Sequence, residues 1–207
     1  QDVDEFVRFA ASDSQVGLDE VVVIAQSVGA VLVATWVHDY APAIRGLVLA
    51  SPAFKVKLYV PLARPALALW HRLRGLFFIN SYVKGRYLTH DRQRVASFNN
   101  DPLITRAIAV NILLDLYKTS ERIIRDAAAI TLPTQLLISG DDYVVHRQPQ
   151  IDFYQRLRSP LKELHLLPGF YHDTLGEENR AQAFEKMQSF ISRLYANKSQ
   201  KFDYQHE

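Results

Sequence analysis

Cysteine is absent from the 207 residues, which excludes disulfides, thiolate metal sites and a cysteine nucleophile. Net charge is nearly absent too: 24 Lys and Arg against 22 Asp and Glu leave a formal +2. Nothing global therefore points to nucleic acid, and no such partner is expected. No apolar run reaches the about 20 residues that span a bilayer. The best, Val28 to Val37, is bounded by Gln26-Ser27 and His38-Asp39. No signal peptide is visible either, but the chain starts at Gln1 inside what reads as a helix, so the true N-terminus, with any targeting signal, is expected upstream. The compartment stays open, with a cytoplasmic home as the default. What is present, 48% hydrophobic, 22% charged and 11% aromatic residues, suits a soluble globular protein with a substantial core.

The hydrophobic pattern alternates between two periods. Residues 2 to 12 carry Phe6, Val7, Phe9 and Ala10 at helical spacing among acids. Val21 to Ala25 is a continuous β-branched run, which predicts a strand buried on both faces of a parallel sheet. Helix is predicted from Val28 to Tyr40 and strand from Gly46 to Ala50, a βαβ unit with a right-handed crossover. Residues 53 to 128 break the rhythm, with helical stretches around 60–75, 77–88, 103–117 and 120–128 and no convincing strand. The alternation then resumes: strand at Thr134 to Ser139, helix at Gln148 to Leu157, strand at Leu161 to Leu167, helix at Asn179 to Tyr195. The expected fold class is α/β, a doubly wound core (1–52 and 129–195) carrying a helical cap (53–128). Residues 196–207 are polar and read as a tail or linker.

Three positions stand directly after predicted strands. Ala25-Gln26-Ser27-Val28-Gly29 would put Ser27 on a sharp strand-to-helix turn with small neighbours, its hydroxyl clear of the sheet. The Val28 N–H and the helix dipole would favour negative charge there. The plain alternative is a serine capping an ordinary βα turn. Ser139-Gly140-Asp141-Asp142 places an acid beyond a strand's carboxyl end, where open α/β sheets build their sites. One of the two aspartates is expected simply to make the turn. Pro168-Gly169-Phe170-Tyr171-His172 puts His172 on a loop, with Thr174 to Glu177 reading as a capping box for the last helix. Of seven histidines only His172 directly follows a core strand. The chain order Ser, Asp, His, with an insertion between Ser and Asp, is the α/β-hydrolase order.

On VVVIAQSVGA, LVLASPA, LLISGDDYVV and LPGFYHDTLGE the chain resembles the α/β-hydrolase superfamily, in its monoacylglycerol-lipase-like and serine-aminopeptidase-like branch. The resemblance implies the C-terminal portion of a mostly parallel sheet flanked by helices, with the N-terminal strands outside this chain. It aligns Asp142, rather than Asp141, with the family's acid. Ser27, His172 and Asp142 would then be nucleophile, general base and orienting acid, and Val28 N–H the oxyanion donor, with no metal or organic cofactor. Gln26, Phe54, Tyr143 and Phe170 are expected to contact substrate. Ala25 stands where the usual pattern has Gly. Only about twenty residues precede the first strand, so the loop that supplies the family's second oxyanion donor is expected to be missing and this stretch alone to be poorly active. The resemblance extends to bacterial proteins that fuse such a hydrolase to a methyltransferase, which makes a fused or adjacent methyltransferase an expected partner.

The implied reaction is acyl-ester cleavage; thioester or amide cleavage shares its chemistry, and a non-catalytic binding module keeps the fold. The cap is rich in cations (Lys55, Lys57, Arg64, Arg72, Arg74, Lys84, Arg86) interleaved with aromatics. It could admit acyl chains or dock on an anionic membrane surface. Ordinary packing of amphipathic helices on the core, with the cations outside, is the preferred reading.

Overall fold

The computed structural model describes residues 1–203, with side chains through residue 196. Its centre is a four-stranded parallel sheet of order β1-β2-β5-β6, formed by β1 (Val22–Gln26), β2 (Gly46–Ala50), β5 (Thr134–Ser139) and β6 (Lys162–Leu167). In-register pairs such as Val23 with Leu47, Leu49 with Leu136 and Leu136 with Leu164 run across it. Every residue of β2 and β5 is buried, as strands covered on both faces require, including the polar Thr134, Gln135 and Ser139 of β5. Among the described residues β1 pairs with β2 alone, and its Ile24 is 45% exposed.

Alternation along the strands divides the core. Leu47, Leu49, Leu136 and Ile138 face one side, where α2 (Ser27–Tyr40) brings Trp36 and Val37 and α6 (Gln148–Arg156) brings Phe153. Val48, Ala50 and Leu137 face the other, under Met187, Phe190 and Leu194 of α7 (Ala181–Asp203). The first helix, α1 (Asp2–Asp13), joins α2 where Trp36 Nε1 donates to Asp4 Oδ1 at 3.0 Å.

Between β2 and β5 lie α3 (Ala63–Arg74), β3 (Phe78–Asn80), α4 (Arg92–Asn100), β4 (Ala107–Ala109) and α5 (Val110–Arg125). The insertion is therefore not all helical: β3 and β4 pair antiparallel, Ile79 opposite Ile108. The helix expected at 77–88 is replaced by β3 and a 3₁₀ turn at Gly85–Tyr87, because a short apolar run such as Phe77 to Ile79 fits either period. The stretches at 103–117 and 120–128 are one helix that starts only at Val110. Ile123, and Ala127 just beyond α5, join Trp36 and Phe153 in the core. By contrast α3 buries no residue, and its Leu69, Trp70 and Leu73 are 60%, 50% and 72% exposed. Packing on the core, preferred for the cap helices from sequence, thus holds for α5 and fails for α3.

One further expectation changes. Thr174 to Glu177 does not cap α7, which opens at Ala181; residues Thr174–Gly176 form a separate 3₁₀ turn. The backbone of α7 runs on through residues 196–203 of the stretch expected as a polar tail or linker, and residues 204–207 lie outside the described residues. No described helix is long and apolar enough to cross a membrane.

Candidate active site

β1 delivers Ser27. The strand ends at Gln26 and α2 starts at Ser27, so the chain turns within one residue, and Ser27 takes φ +57°. This left-handed conformation costs a non-glycine residue on the order of 1–3 kcal/mol and persists only where its surroundings impose it. Ala53 N donates to Ser27 O at 3.0 Å, tying the turn to the end of β2. Val28 is the second residue of α2, whose first-turn N–H groups have no intrahelical acceptor. The crowding expected of the turn's small residues is absent at Gly29, where an added Cβ would meet nothing within 4 Å.

β5 delivers Asp142. A Cβ on Gly140 would lie 2.7 Å from Leu167 O and 2.9 Å from Pro168 Cα, so the ends of β5 and β6 converge on a glycine. Asp142 Oδ1 accepts from Val144 N at 2.7 Å and Val145 N at 2.9 Å, which shapes the loop and fixes the carboxylate. Its Oδ2 lies 2.8 Å from His172 Nδ1. Asp141 turns away, its Oδ2 accepting from Gly169 N at 3.0 Å. Both aspartates thus hold loops, and only Asp142 also meets the imidazole.

β6 delivers His172 through a turn in which Gly169 adopts φ +78°. His172 Nε2 lies 2.7 Å from Ser27 Oγ. A carboxylate only accepts, so Nδ1 carries the proton toward Asp142 and Nε2 is left to accept from the Ser27 hydroxyl. His172 is 6% and Asp142 8% exposed, which keeps water from competing for these bonds. Hydroxyl, imidazole and carboxylate in this order can take a proton from Ser27 and hold the resulting imidazolium.

The expected substrate contacts fare unevenly. Phe54 is buried in the first core cluster with its ring 4.8 Å from that of Phe153, and Phe170 is buried in the second beside α7. Both belong to the core rather than to a substrate surface, because aromatic residues next to strand ends fill the sheet faces first. Gln26 is part-buried with both ends of its amide engaged by the His172 loop. Tyr143 is 42% exposed and meets Tyr171 edge-to-face at 5.0 Å.

Several groups around these residues escaped sequence reasoning. Ser51, at φ +39° just past β2, and Ser139, the last residue of β5, both bond through their hydroxyls to Thr174 Oγ1, at 2.8 and 2.9 Å. The signal was available: a buried strand ending in a polar residue faces the same edge as Ser27. Residues 55–59 hold the acid loop through Lys57 N to Val144 O at 2.8 Å, His146 N to Lys55 O at 2.8 Å and Tyr59 Oη to Tyr143 O at 2.6 Å. Burial, reinforced by Lys55 and Lys57, lowers the pKa of His146. Burial raises the Tyr82 pKa. Glu177 is buried, which alone would raise its pKa, but N–H bonds from Tyr171, His90 and Glu178 and a bond from the His90 ring outweigh that and hold it below the usual carboxylate value. No group of three or more His, Asp or Glu among the described residues could hold a metal ion.

Comparisons with known proteins bear on the family and the fold. A family model, Hydrolase_4, described as Serine aminopeptidase, S33, matches residues 1–179. YnbC of Escherichia coli (strain K12) is 98% identical over 207 residues, all of this chain but 35% of that protein. Phospholipase YtpA of Bacillus subtilis (strain 168) is 24% identical over 176 residues, 82% of this chain and 67% of that one. The chain thus spans about a third of the length of the first relative. Among solved structures, a soluble variant of monoglyceride lipase from Saccharomyces cerevisiae, in complex with a substrate analog, superposes with a TM-score of 0.80 at 16% identity, covering 93% of this chain and 68% of that one. The fold is that of an α/β-hydrolase.

Proposed function

We propose that this chain, which belongs to the Hydrolase_4 (serine aminopeptidase, S33) family, cleaves acyl esters through Ser27, His172 and Asp142. The observation that carries the reading is Ser27 Oγ held 2.7 Å from His172 Nε2 at a strained strand-to-helix turn, with His172 Nδ1 on Asp142. His172 takes the Ser27 proton as Oγ bonds to the ester carbonyl carbon, and Val28 N–H stabilises the oxyanion. The C–O bond to the alcohol breaks, His172 returns the proton to the departing oxygen, and an acyl-serine remains. Water, deprotonated by His172, then releases the acid and restores Ser27. No step calls for a metal or an organic cofactor.

Esters come first among acyl substrates because one relative is named a phospholipase and a solved neighbour of the same fold is a monoglyceride lipase. Val28 N–H is one donor of a hole that uses two in this fold, so the 207 residues alone are expected to run about 100- to 1,000-fold below a longer chain that supplies the second. An adjoining methyltransferase rests on the sequence resemblance only, and the activity proposed here does not depend on it. The test is a panel of nitrophenyl esters, monoacylglycerols, acyl thioesters and aminoacyl amides, with Ser27→Ala as the control. Ester turnover lost in the variant is the expected result. Preferential thioester or amide turnover moves the substrate class, and equal turnover in both proteins leaves a binding module.

A further inference from the structure

We propose that Asp173 is a positioning residue for His172, holding it against the nucleophile turn and making that hold depend on the inserted segment; this rests on the hydrolase reading above. Asp173 directly follows His172, and Gln26 directly precedes Ser27. Gln26 Nε2 donates to Asp173 Oδ1 at 2.9 Å, while Gln26 Oε1 accepts from Leu175 N at 3.0 Å. The two segments that meet through Ser27 and His172 are thus joined a second time, one residue away on each side. The other carboxylate oxygen, Asp173 Oδ2, accepts from Arg94 Nε of α4 at 2.9 Å.

The same segment grips the loop at its backbone. Asp173 N donates to Leu88 O at 2.8 Å, Thr89 Oγ1 to Gly176 O at 2.9 Å and His90 N to Glu177 Oε2 at 3.1 Å. His90 also stacks on Tyr171 at 3.8 Å. Gly176 makes room for the ion pair: a Cβ there would lie 2.1 Å from Asp173 Oδ2 and 2.2 Å from Arg94 Nε. The Asp173 side chain is 17% exposed and that of Arg94 52%. An ordinary surface pair so exposed does little for stability. Its placement gives it another consequence, since a misplacement of about 1 Å between reacting groups can cost about 100-fold in rate.

The experiment compares wild type with Arg94→Ala, Arg94→Lys, Asp173→Ala and Gly176→Ala. It reads the rate at which a fluorophosphonate labels Ser27, and kcat and KM on a nitrophenyl ester. The proposal expects about 100-fold slower labelling in Asp173→Ala and Gly176→Ala, with kcat falling and KM held. Arg94→Ala is expected to slow labelling about tenfold, and Arg94→Lys to restore most of it, as a charge-dependent hold requires. Arg94 is surface-exposed, so its variants fold, and wild-type labelling in Arg94→Ala overturns the dependence on the insertion. Asp173→Ala is also followed by proton NMR of His172 Nδ1–H, whose low-field signal should broaden as the loop loosens. An unchanged signal overturns the hold itself. If wild-type Ser27 takes no label, the hydrolase reading fails instead, and this NMR comparison still decides the role of Asp173.

Discussion

The loops at the carboxyl edge of the sheet and the segment inserted between β2 and β5 reach the same place by opposite means. Ser27, Asp142 and His172 stand one, three and five residues past a strand end, and their backbones are fixed by the sheet and by glycines with no room or no alternative, Gly140 and Gly169. The insertion has no such frame. It carries residues 55–59 to the acid loop and 88–94 to the histidine loop on individual hydrogen bonds, with α3 left unburied between them. Rigid strands place the reacting groups, and the insertion then adjusts the loops that bear them.

The largest effects are expected on the sheet side. Ser27→Ala should lower kcat on esters on the order of a million-fold. Asp142→Asn should cost roughly 10,000-fold, by leaving the imidazole in the wrong tautomer. Asp141→Asn should leave turnover near wild type, since Asp141 meets Gly169 and not His172. Steady-state kinetics decide the ranking, and a reversal would assign the orienting acid to Asp141.

Stability offers a second contrast. Leu136→Ala in β5 removes a fully buried side chain and should cost about 2–5 kcal/mol in urea unfolding. Leu69→Ala on α3 should stay within about 0.5 kcal/mol, because the side chain is 60% exposed. A large loss at Leu69 would mean that this side chain is packed rather than solvated.

Another small effect sits at the junction of the two regions. Arg122 of α5 donates to Asp39 of α2 at 2.6 and 2.8 Å, and this pairing lowers the Asp39 pKa to about 2 from 3.8. A depressed carboxylate pKa adds stability above the unfolded value of 3.8, and that contribution is lost as the pH falls through about 2. Both side chains are about a third exposed, so solvent screening limits the pair to about 1 kcal/mol or less. Asp39→Asn should lower the urea midpoint at about pH 5, and the gap to wild type should shrink at about pH 3.

The same contrast explains what could be read from the chain. β2 matched its expected bounds because Gly46 to Ala50 is apolar without interruption between turn residues, and β5 because Pro133 marks its start. That Ser27, Asp142 and His172 meet at one edge of the sheet follows from each standing shortly after a strand. The insertion was not, because Phe77 to Ile79 and Leu103 to Ala109 carry no decisive period, and their strands exist through pairing with each other. The burial of Phe54 and Phe170 and the Gln26–Asp173–Arg94 link depend on contacts between segments far apart in sequence, which local pattern does not encode.

The central claim, that Ser27 is an activated nucleophile, is tested most directly by reacting the chain with a fluorophosphonate and locating the adduct by peptide mass spectrometry. The account predicts a single adduct on the peptide carrying Ser27, absent after His172→Gln in protein whose circular dichroism is unchanged. An adduct on another residue such as Ser51, no adduct at all, or undiminished labelling of Ser27 in His172→Gln would contradict it.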